Sequence, residues 1–167
     1  MDALLIGEDS VVADLGAGGG WFTIRLARRA INGRVYAEDI QREMIESIKR
    51  RVEREGLKNV RFILGTASDP GLKEPVDAVL IVDAYHEMSE PETLLRNVAR
   101  SLKPGGRIGI VDYSMEGGGP GPPIDERVDP ERVIHDAQKA GLRLISRGSF
   151  LRYQYLLVFG SGDAGPR

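Results

Sequence analysis

Apolar positions along this chain follow two rhythms, and the two alternate. Short, nearly unbroken runs of Val, Ile, Leu and Ala occupy 11–15, 60–64 and 76–82. Runs of that length predict strands, and the last of them reads as a central strand buried on both faces. Elsewhere apolar residues return every three or four positions, which predicts amphipathic helices. The segment 21–31 offers Phe22, Ile24, Leu26, Ala27, Ala30 and Ile31 to a core, and Asn32-Gly33 ends it. The segment 42–55 places Met44, Ile45, Ile48 and Val52 on one face and mostly Arg, Lys and Glu on the others, with Gly56 as its cap. Ser89-Glu-Pro-Glu92 reads as a capping box with proline in the first turn. It opens a helix that buries Leu94, Leu95, Val98, Ala99 and Leu102 and that Lys103-Pro-Gly-Gly106 stops. Asp129-Pro130 starts a last helix, which runs to Ala140 and ends at Gly141. Further strands are predicted at 34–38, 107–111, 142–146 and 153–159, the last two joined as a hairpin. Strands alternating with helices specify an α/β fold around a mostly parallel sheet.

Composition narrows the class. A length of 167 residues suits one domain, expected over 1–160, with a glycine-rich tail at 161–167 that frays. Hydrophobic content of 41% and charged content of 29% are those of an ordinary globular protein. A net charge of −2 weighs against a nucleic-acid partner, which calls for surplus Lys and Arg. No apolar run approaches the roughly 18 residues a membrane span needs. The short run 3–6 follows an acid and does not make a secretory signal, so the expected location is cytoplasmic. The absence of cysteine excludes disulfides, thiolate metal sites and cysteine nucleophiles.

The richest segment is Val-Val-Ala-Asp-Leu-Gly-Ala-Gly-Gly-Gly at 11–20, a strand ending near Asp14 and passing directly into a glycine turn. Gly16, Gly18 and Gly20 alternate, and the first two allow a tight turn that brings backbone close to a ligand. A nucleotide-type cofactor is expected over it. A dinucleotide fingerprint needs a small residue where Trp21 stands, and its pyrophosphate would lie near Asp14. No phosphate-cradling G-x-x-x-x-G-K-[ST] loop exists either. A phosphate-free ligand with positive charge fits better.

Asp14-Leu-Gly-Ala-Gly-Gly-Gly20 resembles motif I of the class I S-adenosylmethionine-dependent methyltransferases. The likeness extends along the rest of the chain. It implies a Rossmann-like doubly wound sheet of seven strands in the order 3-2-1-4-5-7-6, with strand 7 antiparallel. It also implies S-adenosylmethionine as cofactor and S-adenosylhomocysteine as product. Members of the family usually carry additional helices before motif I, whereas ten residues precede the strand that leads into it here. An open cofactor site follows as an expectation, or one covered by a second copy or a partner.

The resemblance assigns residues to the cofactor. Asp14, Asp39, the loop 65–71 and Asp83 all fall at predicted strand ends, where doubly wound sheets bind ligands. Asp39 is expected to accept both ribose hydroxyls; Glu38 competes for the role, and both stand otherwise as exposed loop acids. Ile40 packs on the adenine face or belongs to the core. Asp69 accepts the adenine amino group, or is a turn residue before Pro70, while backbone at Ala67 reads the ring edge. Asp14 meets the ammonium end of the methionine moiety and fixes the glycine turn.

On the acceptor side the chain reads Asp83-Ala-Tyr-His-Glu-Met88. Ala84 and Tyr85 depart from the (Asp/Asn)-Pro-Pro-(Tyr/Phe) motif of amino-methylating enzymes that act on nucleic acids and glutamine. His86 is the candidate general base, histidine being the side chain suited to proton transfer near neutral pH, or else a locally bonded loop residue. Tyr85 and Glu87 are the candidates to orient it or the acceptor. His135 reads as a surface residue, and Asp83, His86 and Asp112 lack a metal-ligand signature, so no metal is expected. The segment 115–123 reads as an irregular loop, either a substrate lid or a linker. Arg127 is a candidate anchor for an anionic substrate or a surface arginine. The run Ser-Phe-Leu-Arg-Tyr-Gln-Tyr at 149–155 is similar to a Phe-Leu-Pro-Tyr-Gln-Tyr stretch of bacterial methyltransferases, with Arg152 in place of proline, and is expected to be structural. The expected activity is methyl transfer to a small molecule at O, N or S. Its rivals are an RNA or protein methyltransferase whose partner supplies a lid, a non-catalytic cofactor-binding protein, and a nicotinamide oxidoreductase.

Overall fold

The apolar runs become strands because side chains alternate across a sheet and here both faces are covered. In the computed structural model, which describes residues 1–116, 118–148 and 150–162, β1 (Val11–Leu15), β2 (Arg34–Asp39), β3 (Val60–Leu64) and β4 (Val76–Val82) stand where periodicity places them. They are joined by β5 (Leu102–Tyr113), β6 (Leu142–Gly148) and β7 (Gln154–Ser161). The order is β3-β2-β1-β4-β5-β7-β6, with β7 antiparallel to both neighbours and the other pairs parallel.

Alternation along the strands feeds two cores. Val12 and Val35 turn towards α1 (Trp21–Arg29) and α2 (Arg42–Arg54), which supply Ile24, Leu26, Ile45 and Ile48. Ala13, Leu15 and Ile81 turn the other way, towards α3 (Pro91–Arg100) and α4 (Pro130–Lys139), which supply Leu95, Val98, Val133 and Ala137. Truncating any of the fully buried Leu or Ile residues to Ala would cost about 2–5 kcal/mol.

Four local expectations are corrected. Helix α1 stops at Arg29, and Ile31 is 64% exposed, because Asn32 and Gly33 donate back to the carbonyls of Glu8 and Ala30. The capping box does not form: Glu90 is the N-cap of α3 without a side-chain bond, and Ser89 lines a cavity instead. Lys103–Gly106 is not a stop but an irregular stretch inside β5, since Leu102 already pairs with Val76 before the register shifts. β7 runs on through Ser161, because Gly160 and Ser161 pair with Arg143 and Leu142; the expected tail from 163 on lies outside the described residues.

Candidate functional site

Strand order reverses at β1, whose partners β2 and β4 continue to opposite sides. The crevice beyond the carboxyl ends at such a reversal is where a doubly wound sheet takes its ligand. A cavity of ≈ 540 Å³ opens there, within the usual range for small molecules. The turn after β1 supplies Gly16 and Gly18 to its walls, and the end of β2 supplies Glu38, Asp39 and Ile40. The loop after β3 adds Thr66 and Ala67, and the loop after β4 adds Asp83, Ala84, Glu87 and Met88.

Gly16, Gly18 and Gly20 all have left-handed backbone (φ 64°, 52° and 75°). A Cβ on Gly16 would also come within 2.7 Å of the Ala84 methyl. Asp39 holds this turn from below: its Oδ2 accepts from the Gly18 N–H at 2.9 Å and its Oδ1 from the Gln41 N–H at 2.9 Å. Each oxygen keeps a lone pair for a further donor, which suits a pair of vicinal hydroxyls. Glu38 lines the same wall, accepting from the Gly16 N–H at 3.3 Å and pressed against Gly65, where no Cβ would fit. Burial pushes the Glu38 carboxyl up to about 8; the Gly16 bond opposes this, and the charges of Asp39 and Asp14 add to it.

Asp14 braces the turn rather than facing the cavity. It is 2% exposed and its Oδ2 accepts from the Thr23 hydroxyl at 2.6 Å, tying β1 to α1. Burial raises its pKa to about 7 against the pull of Thr23. Trp21, which opens α1, is 55% exposed; the Arg25 guanidinium stacks 3.7 Å from its ring centre and Arg51 lies at 5.3 Å. Arg51 also donates to the Gly19 carbonyl at 3.0 Å. Ile40 is 59% exposed on the cavity wall, outside both cores. Asp69 takes the turn role open to it: it is exposed, and its Oδ1 accepts from the Gly71 N–H at 2.8 Å, outside the cavity wall.

Beyond β4, Asp83 adopts left-handed backbone (φ 51°), uncommon for a residue other than glycine. Its Oδ1 accepts from the Gln154 amide at 2.6 Å. Burial raises the Asp83 pKa; the Gln154 hydrogen bond opposes the rise, and the Asp112 charge adds to it. Tyr85, expected beside the acceptor, points into the core instead, where its hydroxyl donates to Asp136 of α4 at 3.0 Å. The apolar ring is better buried under the loop than held in an acid-lined cavity. His86 stands behind the wall formed by Asp83 and Glu87. Its backbone N–H donates to Asp112 at 3.0 Å and its Nδ1 lies 2.9 Å from the same carboxylate, which is fully buried. Glu87 lines the cavity, 3.8 Å from the His86 Nε2.

Arg127 does not face a substrate. Its guanidinium donates to the carbonyls of Pro122, Ser114 and Gly118 and so closes the loop after β5. His135 is exposed, as expected. Among the described residues no group of His, Asp and Glu is placed to hold a metal ion, and no helix is long and apolar enough to cross a membrane. Ser149 and Gly117, within two of the segments singled out from the sequence, lie outside the described residues.

The cavity wall carries Glu38, Asp39, Asp83 and Glu87 and, among the described residues, no Lys, Arg or His. A pyrophosphate would find carboxyl groups and no cation on this wall. A ligand with a sulfonium, a ribose diol and a flat apolar base finds a carboxylate environment, the Asp39 oxygens and the open Ile40 surface. The residues present therefore fit S-adenosylmethionine.

Comparison with known proteins agrees. Residues 12–106 match the family described as a methyltransferase domain. An uncharacterized methyltransferase of Mycobacterium tuberculosis is 40% identical over 112 residues, 66% of this chain and 43% of that protein. A protein-L-isoaspartate O-methyltransferase of Pyrococcus horikoshii is 35% identical over 99 residues, 58% of this chain and 41% of that protein. The chain thus spans less than half the length of these curated relatives. Among solved structures, a SAM-dependent methyltransferase from Aquifex aeolicus superposes with a TM-score of 0.86 at 28% identity, covering 92% of this chain and 83% of that one.

Proposed function

Since the chain belongs to the S-adenosylmethionine-dependent methyltransferases, we propose that it methylates a small molecule at an oxygen, nitrogen or sulfur atom. The acid-lined cavity carries this reading. Carboxyl groups on its wall, Asp83 and Glu87 among them, attract the cationic cofactor and repel the phosphates of a nucleic-acid substrate.

When bound, the cofactor supplies a methyl group on a sulfonium, a leaving group that needs no further activation. The protein's part is placement and exclusion of water. Asp39 takes the ribose hydroxyls, Ile40 covers one face of the adenine, and the backbone at Ala67 reads its edge. Gly16 and Gly18 let the main chain approach closely, and Gly20 lets the turn enter α1. Asp14 acts through Thr23, holding that turn. His86 is assigned a positioning role: with its ring on Asp112 it fixes the loop carrying Asp83 and Glu87, and the proton transfer once expected of it falls to a group on the cavity wall.

Titration calorimetry tests the cofactor pocket: S-adenosylhomocysteine should bind and NAD should not. Incubation with methyl-labelled cofactor and separate metabolite, RNA and protein pools tests the acceptor. Label in the metabolite fraction is the expected result, and label confined to RNA or protein would overturn the small-molecule assignment.

A further inference from the structure

Asp83 is the one wall residue whose backbone, side chain and surroundings are all constrained at once. Its φ of 51° places a side chain where glycine is the usual occupant. Such strain persists only where the surroundings enforce it, and it gathers at functional positions. The enforcement here comes from two other strands: the Asp83 N–H donates to the Val111 carbonyl of β5 at 2.9 Å, and the Gln154 amide of β7 donates to its carboxyl at 2.6 Å. Gln154 thus draws the carboxylate towards the β5–β7 side of the cavity. The ribose and adenine contacts lie on the opposite side, on β2 and β3.

We propose that Asp83 faces the transferring methyl and selects an amine as the acceptor, with Gln154 as its positioning residue. The proposal rests on the S-adenosylmethionine reading of the cavity and goes further by naming the acceptor atom. An amine nitrogen uses its lone pair to form the new N–C bond while the electron pair of the broken C–S bond stays on sulfur. The positive charge arrives on the nitrogen. A neighbouring carboxylate stabilises that charge as it develops, then accepts the N–H proton and releases it to water. Gln154 brings no cation to Asp83, the nearby His86 ring is engaged by Asp112, and burial raises the affinity of Asp83 for a proton.

The test needs no knowledge of the acceptor. Sinefungin is a cofactor analogue in which an amine-bearing carbon replaces the methylated sulfur, so its ammonium stands where the methyl and the acceptor nitrogen meet. Calorimetry on the wild-type chain should give sinefungin a Kd about tenfold below that of S-adenosylhomocysteine, the effect of one partly buried charge pair. Asp83→Asn keeps the side chain's shape and tolerates left-handed backbone. In that variant the two Kd values should become about equal, whatever its absolute affinity for S-adenosylhomocysteine; Gln154→Leu should lose part of the sinefungin advantage. Equal affinity for the two ligands in the wild type, or an advantage that survives Asp83→Asn, overturns the proposal and leaves the cofactor reading intact. If neither ligand binds the wild type, the cofactor reading fails and takes this inference with it.

Discussion

Asp39 does two things with one carboxylate. It pins the glycine turn through the Gly18 N–H and turns its remaining lone pairs to the cavity. Asp39→Ala should therefore weaken S-adenosylhomocysteine binding by about 10- to 100-fold, the loss of hydrogen bonds to a charged group. Unchanged affinity in calorimetry would move the ribose contact to Glu38. Gly16, Gly18, Asp39, Ile40, Ala67, Asp83 and Glu87 were legible as wall residues, because a strand end and a glycine turn are set by neighbours in sequence. Tyr85 was not, since the direction of a side chain in a three-residue turn (Tyr85–Glu87) depends on α4, which packs 45 and more positions later. Gln154 was equally hidden: only the antiparallel register of β5 and β7 brings it to Asp83.

Among the elements, α4 shows how a helix remote from the cavity sets its floor. Asp129 caps it, accepting from the Glu131 N–H at 2.8 Å, and Asp136 then receives the Tyr85 hydroxyl. Tyr85→Phe leaves Asp136 short of a partner in the core and should destabilise the fold by about 1–3 kcal/mol, or about 2–4 °C per kcal/mol. The affinity for S-adenosylhomocysteine should stay within error of wild type; a large fall would return Tyr85 to the site. At this scale the sequence pattern served well wherever periodicity was sustained, as in β1, β3, β4 and α2. It failed at junctions decided by partners: the start of β5, which Val76 recruits, the missing capping box at Ser89, and the end of β7, which Leu142 extends.

For the whole molecule, the crevice concentrates negative charge inside a fold that also buries Asp14. Both Asp14 (about 7) and Glu38 (about 8) hold protons more tightly when folded than a free carboxyl does. The native state therefore binds more protons than the unfolded one between about pH 4 and pH 8, and stability falls as pH rises through that window. Thermal unfolding of the ligand-free chain should show a Tm several degrees lower at pH 8 than at pH 5, roughly 2–4 °C for each kcal/mol. Asp14→Asn should flatten the slope, and an equally steep profile in that variant would place the proton elsewhere. Trp21 has a consequence of its own. It is the chain's single tryptophan, it is clasped by Arg25 and Arg51, and Arg51 also bonds the Gly19 carbonyl of the glycine turn beside the cavity. The protein thus comes with its own lamp: a guest that shifts the turn should alter the indole's emission, so that occupancy is followed optically with no label added.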